Sequence, residues 1–380
     1  MLCHGWLDCA RCLQYLRDRL NSSSSSSRLD VVAHAAASNE GKTSDGVALG
    51  GARIALEIRK LVEREMKSRL ENGTVDATTI VSLSLVGNSL GGLYARYALY
   101  SLFRPDGGAV ACPEITILGY TVLLKTFVST VTPHLGIASQ TYVPVPRFAE
   151  ALIGVALGKS GRDLVRSSDL LNAMSTSDDF LRPLSLFKER IAFSNAFETD
   201  FLVSHASALF LDDKAETVHK NVTHTLAKDV RERAMVAGIF TTERTFTALH
   251  THKRGSDVKP LDLNNTACCK NLDSLSWKKY VIDLRKTLAV LPGGGKTLGA
   301  EYGARDGALE LSDVDKNPVL SSKQLKDILF RSAEQRRRPA GHSMIVANMK
   351  NKTYVEAFKG GRPVMDFLAD LLTEERELKW

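Results

Sequence analysis

One stretch, residues 80–100, most constrains the fold that this chain can adopt. An apolar run ends there in Gly87-Asn88-Ser89-Leu90-Gly91, and residues with the apolar spacing of a helix follow at once. The pattern G-x-S-x-G is weak as a string, but a strand, a sharp turn and a helix are what a nucleophile elbow needs to lift a serine hydroxyl above a sheet. Glycines on both sides of Ser89 leave room for a strained turn. The alternative is an ordinary crossover with a turn serine, and the two flanking elements favour the nucleophile.

The acid of a catalytic triad has one good candidate. A serine hydroxyl becomes a nucleophile when a base takes its proton, and a third group has to orient that base. In α/β-hydrolases the acid and then the histidine follow the serine, on loops at the carboxyl ends of later strands. Asp200 fits, because it comes six residues after the apolar segment 190–194, in a turn. A turn-capping aspartate is the plainer alternative, and Glu198 is a nearby competitor.

Nine histidines compete for the role of base. His342 stands near the C-terminus in a loop before an apolar segment, where the order Ser–Asp–His requires the base. His134 precedes every candidate acid, and His205 is too close to Asp200 along the chain to oppose it. A loop histidine is more often structural. His342 is selected only because it follows Ser89 and Asp200 in the order that a triad requires.

The beginning of the sequence predicts the oxyanion hole. Residues 1–6 have the pattern of a buried strand that delivers His4-Gly5 into a loop, and such a loop supplies one backbone N–H of the oxyanion hole in α/β-hydrolases. We assign that donor to Trp6 and the second donor to Leu90, the residue after the nucleophile. Only three residues precede His4, too few for a well-paired strand, so we expect a fold that is truncated or poorly ordered at its N-terminus.

We expect neither a cofactor nor a metal. Some histidines lack Cys, Asp or Glu neighbours at the spacing of metal ligands: His219, His224, His250 and His252. The glycine run 293–297 fails as a phosphate-binding loop, because G-x-x-x-x-G-K-T requires glycine at position 290, which is Val290.

Composition excludes several classes of protein. Apolar residues make up 44% and charged residues 24% of the 380 positions, as in globular proteins and unlike disordered or fibrous ones. A net charge of +7 over this length does not predict nucleic-acid binding, although it suits contact with an anionic lipid surface. The six cysteines lack a paired CxxC…CxxC spacing, and we interpret them as reduced thiols of a cytoplasmic protein. No apolar run predicts a transmembrane segment, and no signal peptide is visible.

The order of elements predicts the architecture. Strands alternate with helices through the first two hundred residues, which favours an α/β fold whose mostly parallel central sheet has helices on both faces. We expect a hydrolase core at 1–211, a polar insertion or lid at 212–270 between the acid and the histidine, and the rest of the core at 271–380. That last part holds the histidine loop and a closing helix.

The assembled motifs resemble the eukaryotic putative serine esterase family of lipase-like α/β-hydrolases, a group that includes lipid-droplet phospholipases. The resemblance covers most of 1–211 and parts of the last hundred residues. Its motifs are His4-Gly5, 39–51 (NEGKTSDGVALGG), 85–97 (LVGNSLGGLYARY), 132–136 (TPHLG), 193–200 (FSNAFETD), 275–282 (LSWKKYVI) and His342.

The resemblance implies hydrolysis of acyl esters of lipids, with Ser89, Asp200 and His342 as the triad. Reaction through an acyl-enzyme and peripheral contact with a membrane or lipid-droplet surface are expected. Two alternatives stay open. One is a catalytically silent hydrolase fold that binds lipid or protein, and the other is an acyltransferase that uses the same triad.

Overall fold

The structure is a computed structural model of the whole chain. It describes residues 1–23, 30–74, 80–103, 115–117, 119–138, 154, 157–166, 168–196, 199–200, 203–247, 265–288, 318–330 and 340–373.

A single mixed sheet runs through the described part of the chain, with the strand order β1-β2-β4-β5-β8-β7-β6-β9 and β3 beside β4. Its strands are β1 (Leu2–Cys3), β2 (Val81–Asn88), β3 (Ile115–Ile117), β4 (Tyr120–Thr130), β5 (Glu189–Asn195), β6 (Val218–Asn221), β7 (Val236–Thr241), β8 (Lys278–Ile282) and β9 (Val319–Ser321). From β1 to β8 the neighbours β1, β2, β4, β5 and β8 are parallel. The pairs β3–β4, β7–β8, β6–β7 and β6–β9 are antiparallel.

Helices cover both faces of this sheet. They are α1 (Gln14–Ser23), α2 (Val47–Glu71), α3 (Leu90–Phe103), α4 (Gly158–Leu164), α5 (Leu170–Thr176), α6 (Asp178–Ser185), α7 (His205–Ala208), α8 (Lys228–Arg233), α9 (Asn265–Asp273), α10 (Arg285–Leu288), α11 (Ser322–Phe330), α12 (Gly341–Met344), α13 (Lys352–Phe358) and α14 (Arg362–Thr373). Short 3₁₀ helices lie at Ala10–Leu13, Thr223–Thr225 and Lys359–Gly361.

Each face of the sheet has its own hydrophobic core. Along β2, Leu83 and Leu85 pack with α2 and α3 in one core. Val86 lies in the other core, with residues of α1 and α14. Side chains of a strand alternate between its faces, so a strand buried on both sides is apolar throughout. The predicted α/β fold, with a mostly parallel sheet covered on both faces, is confirmed.

The structure describes two segments whose place in the fold the sequence left open. Leu2 and Cys3 do pair, opposite Val86 and Gly87 in parallel register, and both are buried. The segment 212–270, expected to be a polar insertion or lid, supplies β6 and β7 to the central sheet. The strand β6 is short and alternates exposed with buried residues, and its polar residues concealed the pattern of a half-buried strand.

A buried charge network explains why one polar residue of this segment, His219, is internal. Lys279 on β8 is fully buried, and its Nζ donates to the carbonyl of Leu209 at 2.7 Å. The same Nζ lies 3.0 Å from His219 Nε2 and 2.6 Å from Asp273 Oδ1. The network therefore ties β6 and α9 to β8, because a buried ammonium retains its charge only beside such partners.

No helix among the described residues is both long and apolar enough to cross a membrane.

Candidate active site

Ser89 occupies a sharp turn between β2 and α3. Its backbone has φ of 53°, a left-handed conformation that costs a residue with a Cβ atom about 1–2 kcal/mol. The Ser89 N–H donates to the carbonyl of Thr130 at 2.8 Å, which fixes the turn against the end of β4. The side chain is 9% exposed. Strain of this kind persists only where the surrounding structure holds it, and it is common at functional sites.

The two flanking glycines allow α3 to pass directly over the strands. A Cβ atom on Gly87 would lie 2.3 Å from the Cα of Gly92, and one on Gly91 would lie 2.1 Å from the carbonyl oxygen of Cys3. Both distances are far below van der Waals contact. A side chain at either position would push the helix and Ser89 away from the sheet.

Asp200 and His342 form a buried hydrogen-bonded pair. His342 Nδ1 lies 2.8 Å from Asp200 Oδ2, and the two residues are 8% and 1% exposed. A carboxylate only accepts, so Nδ1 carries the proton and Nε2 is left with a free lone pair. Burial lowers the pKa of His342, whereas the charge and hydrogen bond of Asp200 raise it, and the net result is a pKa above the ordinary 6.5. A histidine with this tautomer and a raised pKa can act as a general base.

Further donors hold the carboxylate of Asp200 in place. The N–H of Val203 donates to Oδ1 at 3.0 Å, and Asn195 Nδ2 donates to Oδ2 at 3.2 Å. Asn195 is the last residue of β5 and is 2% exposed. Sequence reasoning missed this residue, although a polar residue at the end of an apolar strand pointed to it.

A glycine brings the histidine to the acid across 142 residues of sequence. The N–H of Gly341, at the start of α12, donates to the carbonyl of Thr199 at 3.0 Å. A Cβ atom on Gly341 would lie 2.1 Å from that carbonyl oxygen. Since Thr199 precedes Asp200 and Gly341 precedes His342, this close backbone contact sets the distance between the two side chains.

The loop after β1 lies against the nucleophile turn. A Cβ atom on Gly5 would lie 2.9 Å from Ser89 Cβ and 3.4 Å from Ser89 Oγ. The next residue, Trp6, is half-buried, and the N–H of Leu7 donates to Thr43 Oγ1 at 3.0 Å. Leu90, buried, is the first residue of α3. Gly5 of this loop and the start of α3 thus both lie beside Ser89.

The sheet places these groups along one edge. Ser89 follows β2 and Asp200 follows β5, and in the parallel part of the sheet only β4 lies between them. The ends of β2 and β5 are two strand spacings apart, about 10 Å. The ring of His342, held by Asp200, has to span the gap to Ser89. The His342 segment also reaches the first loop, because Lys350 Nζ donates to the carbonyl of Leu7. Such an edge, at the carboxyl ends of parallel strands, is where open α/β folds bind ligands.

His134 has a structural role. Its Nδ1 lies 3.1 Å from Arg96 Nη1 and its Nε2 lies 3.0 Å from Ser129 Oγ. Arg96, buried on α3, also donates to the carbonyl of Met174. Burial, and then the charges of Arg96 and Lys279, hold the pKa of His134 well below 6.5. A histidine that joins α3 to the end of β4 and whose pKa is held this low is unsuited to the role of base.

Other candidates of the sequence have different surroundings or fall outside the described residues. His205 is buried in α7, where burial lowers its pKa to about 3. His219 belongs to the Lys279 network. Glu198, His250 and His252 fall outside the described residues. In the part of the chain that the structure describes, no three His, Cys, Asp or Glu side chains stand together as a metal site requires.

The family comparison specifies the class of this protein. The chain belongs to the putative serine esterase family (DUF676), whose sequence profile matches residues 1–210. No curated protein matches the chain.

One solved structure, "Phospholipase PlaB from Legionella pneumophila in complex with thio-NAD", is similar to this chain. The similarity covers 54% of this chain and 40% of that chain, with 14% sequence identity and a TM-score of 0.33. A likeness at that score carries no argument about the site.

Proposed function

We propose that this protein is a serine esterase that cleaves carboxylic esters of lipids through an acyl-enzyme. The observation that carries the proposal is the buried pair of Asp200 and His342, joined at 2.8 Å on the same sheet edge as the left-handed Ser89. Membership of a serine esterase family supports it. A nucleophile, a base with the correct tautomer and an orienting acid are the parts that acyl transfer needs.

The proposed reaction assigns a role to each of these residues. Ser89 Oγ attacks the ester carbonyl while His342 Nε2 takes its proton, and the N–H groups of Leu90 and Trp6 stabilise the oxyanion. The protonated His342 then passes its proton to the leaving alcohol, and Asp200 stabilises the imidazolium. In the second half of the reaction, His342 takes a proton from water, the water oxygen attacks the acyl carbonyl, and His342 returns the proton to Ser89 Oγ as the acid leaves. Loss of one oxyanion donor costs about 3 kcal/mol of transition-state stabilisation.

Lipid esters are the proposed substrates because of the family resemblance and one feature at the site. Leu7, next to the proposed donor Trp6, is 59% exposed, so an apolar side chain stands at the edge of the reaction centre. A net charge of +7 suits peripheral contact with anionic lipid, which vesicle co-sedimentation at low and high salt tests. Turnover of nitrophenyl esters with acyl chains of two to sixteen carbons tests the preference for long chains.

Labelling by a fluorophosphonate probe tests the proposed nucleophile. We expect the folded protein to be labelled at Ser89, and Ser89→Ala and His342→Gln to lose labelling. Asp213→Asn is the matched control, because Asp213 is 49% exposed and pairs with Lys326 away from these residues. An unlabelled Ser89 in folded protein refutes the proposal and leaves a silent lipid- or protein-binding fold. Product analysis with an added alcohol separates hydrolysis from acyl transfer.

A further inference from the structure

Two cysteines directly after the proposed oxyanion loop form a close dithiol. Cys9 Sγ and Cys12 Sγ lie 3.7 Å apart. Cys9 is the N-cap of the 3₁₀ helix Ala10–Leu13, which continues into α1, and its N–H donates to Cys12 Sγ at 3.3 Å. The spacing C-x-x-C at the start of a helix is the arrangement of redox-active dithiols. Other described cysteines are buried in the cores, namely Cys3, Cys268 and Cys269.

The two thiols stand in different surroundings. Cys9 is partly exposed, whereas Cys12 is buried and donates its Sγ–H to Asp8 Oδ1 at 3.2 Å. Burial and the neighbouring carboxylate raise the pKa of Cys12 well above its usual range. Cys9 is therefore the thiol that a dissolved oxidant reaches first, and Cys12 is the thiol held ready, with a proton acceptor already in contact.

We propose that Cys9 and Cys12 form a reversible disulfide that regulates the esterase site. The oxidant class is a hydroperoxide. The thiolate of Cys9 attacks the peroxide O–O bond, which gives a sulfenic acid on Cys9 and releases the alkoxide or hydroxide. Cys12 Sγ then attacks the sulfenic sulfur, its proton passes by way of Asp8 to the departing hydroxide, and water leaves. Two thiols are oxidised and one peroxide is reduced to an alcohol (or water) and water.

Asp8 couples this dithiol to the site. It lies two residues after Trp6, its Oδ1 is 4.0 Å from Lys350 Nζ, and its charge contributes to the raised pKa of His342. In a disulfide the sulfur atoms lie about 2.05 Å apart, so the pair has to close by more than an ångström. Cys12 then has no proton to donate, and Asp8 loses that hydrogen bond. We infer that the loop carrying Trp6 shifts when Asp8 is released.

The expected effect is a partial loss of turnover. Complete loss of an oxyanion donor lowers kcat by about 10²–10³-fold, and a displaced loop weakens the donor without removing it. We therefore expect a drop on the order of tenfold in kcat on oxidation, reversed by dithiothreitol. This part of the inference rests on the proposed esterase function, whereas formation of the disulfide does not.

Peptide mapping tests the disulfide independently of any activity. The full chain is treated with hydrogen peroxide, alkylated with iodoacetamide and digested with trypsin. Arg11 lies between the two cysteines, so a Cys9–Cys12 disulfide joins peptide 1–11 to peptide 12–17. We expect the joined pair in wild type, and its absence after dithiothreitol and in Cys9→Ser. Two separately alkylated peptides in the oxidised wild type would overturn the proposal, as would a bond between Cys3 and Cys9 within peptide 1–11.

Turnover of a nitrophenyl ester on the same samples tests regulation. Cys9→Ser replaces a partly exposed side chain, so we expect it to fold, to keep the basal rate and to lose the response to peroxide. Cys12→Ser, whose hydroxyl can still donate to Asp8 and whose fold circular dichroism checks, should behave likewise. A joined peptide pair with unchanged turnover refutes the regulation. If reduced wild type neither turns over ester nor reacts with fluorophosphonate, the proposed function fails, and the joined pair alone decides whether the dithiol is redox-active.

Discussion

Replacement of Asp200 by asparagine separates catalysis from stability. In the wild type, Oδ1 accepts from the N–H of Val203, and Oδ2 accepts from His342 Nδ1 and from Asn195 Nδ2. An asparagine at 200 has one oxygen and one NH₂ group, so it cannot accept on both sides. Asn195 Oδ1 is buried and has no hydrogen-bond partner, and a flip of the Asn195 amide would turn this oxygen towards the new NH₂ group.

That flip determines what the variant loses. With the oxygen of asparagine 200 facing Val203 and its NH₂ group facing His342 and Asn195, every backbone partner is kept. His342 Nδ1 then has to accept, so the proton moves to Nε2 and the ring can no longer act as base. We expect the free energy of unfolding to fall by only about 1.5–3 kcal/mol, the contribution of one hydrogen bond to a charged group. We expect kcat to fall by about 10⁴-fold, as when a triad acid becomes an amide.

Paired measurements decide the matter. Urea unfolding gives the stability of Asp200→Asn, and ester turnover gives its kcat, each beside the exposed control Asp213→Asn. The pKa of His342 should also fall, because the carboxylate that raises it is gone, and NMR of the imidazole protons measures this. A folded Asp200→Asn that retains more than a tenth of wild-type kcat refutes the assignment of Asp200.

Three further predictions concern strain, buried charge and pH. Ser89→Gly should abolish turnover and stabilise the protein by about 1 kcal/mol, because glycine adopts a φ of 53° without strain; unchanged or lower stability in urea contradicts this. Lys279→Met should destabilise by about 3–5 kcal/mol, since it removes the cation that pairs with the 2% exposed Asp273, and Lys279→Met/Asp273→Leu should recover most of the loss in thermal unfolding. As pH falls below 6.5, unfolded histidines gain protons that buried ones cannot, so stability should drop by about 1.4 kcal/mol per pH unit for each such residue. Burial lowers the pKa of His205 to about 3, so His205→Asn should flatten urea midpoints measured from pH 7 to 5, and an unchanged slope excludes this cause.

Sequence alone determined the local parts of this protein. The strand, turn and helix around Ser89 are contiguous, and the glycines that permit them are within three residues of the serine. Short-range sterics therefore fix the turn, and the apolar spacing fixes the two buried faces of the sheet. The order of serine, acid and histidine pointed to Asp200 and His342, but it carried no information on their contact.

Only the tertiary structure decided which distant groups meet. The pair of Asp200 and His342 depends on the close backbone contact of Gly341 with Thr199, which sequence spacing cannot express. Within 212–270 the strand β6 was hidden because its buried polar residue His219 is paired with Lys279 from another strand. Likewise, the sequence did not show that the Cys12 thiol donates a hydrogen bond to Asp8. The burial, charge and reactivity of a side chain depend on its neighbours in space, and the tertiary fold determines which residues those neighbours are.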